Sequence, residues 1–159
     1  MRKGVVVAAV GIALFASVAS AKEPTVQRYP IDNQFVVQSC GFPVSIHATG
    51  FLVDITWVDA NGSVKVIEAA PQAKWELTNQ NTSKVVRVSI AGPGQYYFPA
   101  DGSFTLVGTG TWGWTGHPDT GEPGLFLSKG RFVFSIDSAG NSTWDRAGTL
   151  VDLCEALAP

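Results

Sequence analysis

The sequence predicts an all-β domain, a single antiparallel meander, and three observations predict it. Apolar and polar residues alternate with period two over many short stretches, and Gly, Asn, Asp and Pro interrupt those stretches at short intervals. Before the last few residues, no stretch of the mature chain repeats apolar residues at helical spacing over ten positions. Two architectures fit, a small β-barrel and a two-sheet β-sandwich. The barrel is preferred because Gly108, Gly110, Gly113 and Gly130 fall inside strands, where glycine permits sharp coiling.

The clearest element is a long aromatic hairpin from Phe104 to Ile136. Phe104, Leu106, Gly108, Gly110, Trp112 and Trp114 share one face of its first arm. Ser103, Thr105, Val107, Thr109, Thr111 and Gly113 occupy the other. In the second arm Phe126, Phe132, Phe134 and Ile136 oppose Leu127, Lys129, Arg131, Val133 and Ser135. Successive strand side chains point to opposite faces, so each arm carries one aromatic face and one mostly polar face. An antiparallel pair with one buried face follows.

The remaining elements are taken in chain order. Residues 1–21 form a secretory leader, with basic Arg2 and Lys3, an apolar run from Gly4 to Val18 and the small residues Ala19-Ser20-Ala21 before the cleavage point. The run is shorter than the roughly 20 apolar residues of a membrane-spanning helix. Residues 22–33 are polar, contain Pro24 and Pro30, and predict an extended N-terminal segment; the β domain occupies residues 34–159. Val44 to Ala48 alternates and Gly50 is expected to end that strand. Phe51, Val53, Ile55 and Trp57 share a face of the next, and Asp59-Ala60-Asn61-Gly62 turns the chain, the Asn-Gly pair fitting a type I′ turn. Ser63 to Glu68 is the return strand. Lys74 to Thr78 and Val85 to Ile90 alternate again, with Trp75 beside Leu77 and with Val86, Val88 and Ile90 on one face. Gln95 to Phe98 is short, Asp101-Gly102 is tight, and after the hairpin Asp137 to Asn141 turns into Ser142 to Val151. Val151 to Leu157 predicts one terminal helical turn around Cys154. Eight or nine strands result.

The chain has two cysteines, Cys40 and Cys154, near opposite ends of the domain. In an exported chain a lone pair of this kind predicts a disulfide with one connectivity. Its loop spans nearly the whole domain, a closure worth roughly 4–5 kcal/mol in the chain-entropy treatment. The full sequence has 11 basic and 13 acidic side chains, and losing Arg2 and Lys3 makes it more acidic. Charges of both signs are scattered without a basic stripe, which argues against nucleic acid and anionic membrane surfaces as partners.

Several motifs in a fixed order carry a resemblance. They are Cys40-Gly41-Phe42-Pro43-Val44, the run from Leu77 to Lys84, Gly92-Pro93-Gly94, Asp101-Gly102-Ser103, Gly108-Thr109-Gly110, Pro123-Gly124 and the closing Val151 to Leu157. Together they resemble a group of small exported actinobacterial β-rich proteins of uncharacterised function. The chain departs from that group at Asn81-Thr82-Ser83, where the group usually has Thr-Gly. The resemblance implies export, a β-rich fold, the Cys40–Cys154 bridge and a Gram-positive source, in which case the Asn61, Asn81 and Asn141 sequons are chance matches. It supplies no catalytic residues.

Chemistry-bearing groups are sparse. His47 sits on the strand face opposite Val44, Ile46 and Ala48 and reads as a solvent-facing residue. His117, Asp119 and Glu122 share the irregular 115–124 loop, a composition that loop solvation explains as well as a metal site does. No Gly-x-Ser-x-Gly elbow occurs, no helix follows Gly108-Thr109-Gly110, and among carboxylates Asp54 with Glu68 or Glu76 are the nearest candidate pairs on strands. The sequence thus predicts an exported, non-enzymatic β-barrel domain with no cofactor, no metal and no membrane span after processing. It is expected to be a monomer, secreted or held at the cell envelope. Its ligand is expected to be a small apolar molecule or a cell-envelope glycan, bound at the loop end by Trp112, Trp114 and His117. A different class of function, a structural or host-facing surface protein with a fully packed core, fits the same pattern.

Overall fold

The computed structural model of the chain describes residues 23–159, and the expected leader lies outside them. The strands are β1 (Thr25–Val37), β2 (Val44–Val58), β3 (Val64–Ala69), β4 (Lys74–Asn79), β5 (Val85–Ser89), β6 (Gly94–Phe98), β7 (Phe104–Gly108), β8 (Thr111–Trp114), β9 (Phe126–Ile136) and β10 (Ser142–Asp152). One short helix, α1 (Leu153–Leu157), closes the fold, its first N–H groups capped by the Asp152 carboxylate. All ladders are antiparallel and belong to one sheet of order β10-β9-β7-β6-β3-β2-β4-β5, with β1 added to β2 and β8 to β9.

Two long strands organise this sheet. β2 carries β1 along one edge from Val44 to Thr56, while β4 pairs with its first half and β3 with its second. β9 repeats the arrangement, with β10 along one edge and β8 and β7 sharing the other. The expected aromatic hairpin is present in a single register, from Phe104 opposite Ile136 to Trp114 opposite Phe126.

Both long strands bend at glycine. Gly50 adopts φ 138°, and a Cβ there would lie 2.6 Å from the Ala73 backbone, so it marks a bend inside one continuous strand and does not end it. Gly130 and Gly148 face each other across β9 and β10, both with positive φ; a side chain on either would meet the other strand's backbone at 2.0–2.3 Å. Glycine alone permits this close crossing.

The bends fold the sheet back on itself, and the core forms between its two ends. Val44, Ile46 and Ala48 of β2 and Trp75 and Leu77 of β4 pack with Leu125, Leu127, Leu153 and Leu157, flanked by Val86, Val88 and Ile90. The Cys40–Cys154 disulfide joins the two sides, with Cα atoms 5.2 Å apart.

The expected barrel is not formed: the sheet stays open. Its path ends at β10 and β5, and a cleft of about 310 Å³ lined by Val88, Ser89, Thr111, Leu127 and Lys129 separates β5 from β8 and β9. β5 is five residues long and bears Arg87 beside that cleft, too short and too charged an edge to be zipped shut. Within the expected extended segment at 22–33, the chain from Thr25 onward is part of β1 and pairs with β2 in unbroken register to Val37. The Asp59–Gly62 turn also differs from expectation, since only Gly62 has positive φ where type I′ requires two such residues. Asp59 instead accepts the Asn61 and Ser63 N–H groups through Oδ1, which stabilises the turn without a left-handed Asn61.

Candidate functional site

The open part of the sheet, β2 after its bend together with β3, β6, β7, β9 and β10, carries the aromatic residues in register. One row across a single face contains Val58, Val64, Phe98, Phe104 and Ile136. The next holds Thr56, Val66, Tyr96, Leu106, Phe134 and Trp144. A third holds Asp54, Glu68, Gly94, Gly108, Phe132 and Arg146. Trp112 and Trp114 of β8 close over this third row because the strands bend at Gly130 and Gly148.

The rings form one connected cluster. Trp112 and Trp114 are stacked with centroids 6.2 Å apart, and Phe132 stands edge-on to both at 5.2 and 5.1 Å. Trp144 meets Trp114 edge-on at 5.3 Å and lies 4.8 Å from Phe134, which continues to Phe104 and from there to Phe98 and Tyr96. Edge-to-face pairs of this kind add about 0.5–1.5 kcal/mol each beyond area burial. Packing grades along the face: Phe132 is 2% exposed at one end, and Phe98 and Val58 are 42% and 41% exposed at the other. Both indole N–H groups of the β8 tryptophans are satisfied internally, Trp112 donating to the Thr109 carbonyl at 3.0 Å and Trp114 to Ser128 Oγ at 2.9 Å.

Of the three residues expected to bind ligand, the fold brings Trp112 and Trp114 together and sets His117 apart. The His117 ring lies edge-on to Phe126 at 4.9 Å, and its loop is closed by hydrogen bonds from His117 N–H to the Glu122 carbonyl and from Gly121 N–H to the His117 carbonyl. Asp119 is engaged by Arg146 of β10, whose Nη2 donates to Asp119 Oδ2 at 2.8 Å. That hydrogen bond holds the Asp119 carboxyl below the usual range, so the carboxylate is committed to pinning the loop. Among the described residues, no three His, Cys, Asp or Glu side chains converge as metal ligands.

The polar end of the face was only partly legible. Asp54 and Glu68, one of the two carboxylate pairs singled out from sequence, are direct partners across β2 and β3. Tyr96 donates its hydroxyl to Glu68 Oε1 at 2.8 Å. Burial, partly offset by that hydrogen bond, raises the Glu68 pKa, and the Asp54 charge raises it further. Burial and then the Glu68 charge push the Tyr96 phenol far above its ordinary value. Asp54 Oδ1 is buried and accepts no hydrogen bond. The alternative partner Glu76 lies elsewhere, on the outer face of β4, where it accepts from Arg87 Nε at 2.6 Å.

His47 occupies that same outer face, as its strand position predicts, with Nε2 2.8 Å from Asp32 Oδ1. A pocket of about 210 Å³ lined by His47, Thr49, Lys74, Trp75, Glu76 and Arg87 lies beside it.

Sequence reasoning missed Phe98, Tyr96 and Trp144 as members of the face. Their alternation was visible, but placing them beside Phe104 and Phe134 requires the β6–β7 and β9–β10 registers. Protein-family models, curated proteins and solved structures give no match to this chain.

Proposed function

We propose that the mature chain is an exported, non-enzymatic binding domain, related to the actinobacterial group it resembles, that takes its ligand on the aromatic face and not in a barrel interior. The observation that carries this reading is the graded exposure of one continuous ring array. Rings packed tightly at Phe132 give way to rings open to solvent at Phe98, so the face has a rigid end and an accessible end. Such a surface suits an apolar molecule or the ring faces of an envelope glycan, both of which gain from contact with preformed aromatic planes. Trp112 and Trp114 set the rigid end, and His117, packed on Phe126 away from the array, takes no part in it.

The test is binding of the purified, bridged domain to envelope glycan and to apolar small molecules, followed by tryptophan fluorescence. Phe98→Ala and Trp112→Ala are expected to weaken binding at least about tenfold, the scale of losing one stacked ring. Unchanged affinity in both variants, with the fold retained, removes the aromatic face from consideration.

A second reading, a surface-acting protein whose aromatic cluster is simply an additional core, is favoured by one observation. The indole donors of Trp112 and Trp114 are both spent on this chain's own acceptors. Absence of any bound ligand together with partner contacts mapping to other surfaces would support it.

A further inference from the structure

The β2–β3 ladder is where the sheet's two halves join. On one side lie β1, β2, β4 and β5; on the other lie β3, β6, β7, β9, β10 and β8, and the sheet's path passes between them only through this pairing. Asp54 and Glu68 stand directly opposite each other on it, on the aromatic face. Directly opposed strand residues have Cβ atoms about 4.5–5.5 Å apart, so the two carboxyl groups are within reach of each other, and the Asp54 charge bears on Glu68.

The charges nearby do not relieve that effect. Gln27 of β1, the partner of Asp54, is neutral, and the adjacent Tyr29 donates its hydroxyl to Gln27 Oε1. Tyr96 of β6 donates to Glu68 but carries no positive charge. From β8, the Trp112 ring covers Gly94, the β6 partner of Glu68. The basic residues of these strands turn the other way, Arg28 over the Phe51 ring and Lys65 over Trp57 and Tyr97. Arg146, in the same row, is four ladders away from Glu68. Among the described residues, no salt bridge reaches either carboxylate. The Tyr96 hydroxyl serves Glu68, and nothing serves Asp54 Oδ1, which is buried.

We propose that Asp54 and Glu68 hold one proton between them and form a proton-dependent clasp across the β2–β3 junction. The O–H of protonated Glu68 donates to Asp54 Oδ1 while Glu68 Oε1 keeps the Tyr96 hydroxyl. This supplies the missing donor and removes one of two opposed charges in a single step. Loss of the proton as pH rises leaves two opposed carboxylates at the joint between the halves and loosens the strand pairing that carries the acidic end of the aromatic face. The inference rests on the pair's own geometry and stands whether or not that face binds a ligand.

Carbon-13 NMR titration of the Glu68 side-chain carboxyl in the intact, disulfide-bonded domain tests it. The midpoint is expected above the ordinary glutamate range in wild type and about one pH unit lower in Asp54→Asn, because removing one charge of a coupled pair eases ionisation of the other. A wild-type midpoint in the ordinary range overturns the clasp. So does a raised midpoint that Asp54→Asn leaves in place, since burial alone then accounts for it. Should Asp54→Asn fail to fold, Glu68→Gln supplies the second measurement. Between about pH 5 and about pH 8 the wild-type urea midpoint is expected to fall while that of Glu68→Gln stays level, and parallel profiles overturn the proposal.

Discussion

Asn79 has no exposed surface, and its side chain is used twice: Nδ2 donates to the Leu157 carbonyl at 3.0 Å, and Oδ1 accepts the Asn81 N–H at 2.9 Å. One residue therefore ties the end of β4, the polar turn after it and the C-terminus of α1. Asn79→Ala leaves the carbonyl of the buried Leu157 and the Asn81 N–H without their bonds and is expected to cost about 1–3 kcal/mol, measured by urea unfolding. A loss below a few tenths would mean that water replaces both bonds. The sequence placed Asn79 at the start of a polar turn, which is correct locally, but its burial depends on a helix 78 residues further along the chain. Gly113 makes the same point from the opposite side. Alternation put it on the polar face of the hairpin, yet a Cβ there would lie 2.5 Å from the Trp75 ring, because at the Gly113 and Leu127 end that face is turned to the main core.

Among the elements, the hairpin, the β2–β3 return, β4, β5 and α1 follow the alternation and turn residues closely. Local chemistry specified them. Asp137 accepts the Ala139 and Asn141 N–H groups through Oδ1 and so repeats the turn built on Asp59. The unexpected element was β1, since a polar segment with two prolines lacks a strand signature by itself. It becomes a strand because β2 is long and offers a free edge from Val44 to Thr56. Closure of the core end depends on the bridge. Replacing Cys40 and Cys154 by Ala is expected to cost roughly 4–5 kcal/mol on the chain-entropy scale. Urea unfolding of the double variant against wild type measures it. A loss under about 1 kcal/mol would mean that the ends are held by Leu125, Leu153 and Leu157 packing alone.

For the molecule as a whole, the titrating groups divide into two opposing sets. Asp101, Asp119 and Asp137 are held below the usual carboxylate range, chiefly by hydrogen bonds from Ser103, Arg146 and Asn141. A depressed acid contributes stability that is present above its unfolded value and lost as pH falls through its folded value. Acid destabilisation from these three is therefore expected to set in as pH falls below the ordinary aspartate range. Glu68 acts oppositely: its pKa is raised above the ordinary glutamate value, so its contribution is complete below that value and is lost as pH rises through the folded one. Stability is expected to peak in the mildly acidic range, read from urea midpoints across pH. A profile rising steadily to neutral pH would show that Glu68 is not held as the structure indicates.

By itself the sequence determined the all-β class, the positions of most strands and turns, the single cysteine pairing and the aromatic character of one hairpin. These follow from period-two alternation, turn chemistry and the arithmetic of two cysteines, all of which act over a few residues or leave one choice. Tertiary structure alone decided that the sheet stays open, that Gly50 bends a strand without ending it, and that Tyr96, Phe98 and Trp144 join Trp112 and Trp114 on one face. It also decided that Asp54 meets Glu68 and not Glu76. Those outcomes depend on which strand edges pair and on where glycine lets the backbone cross closely. Such pairing is set by the burial of Val44, Ile46, Trp75 and Leu127 together, residues that only the folded chain brings into contact.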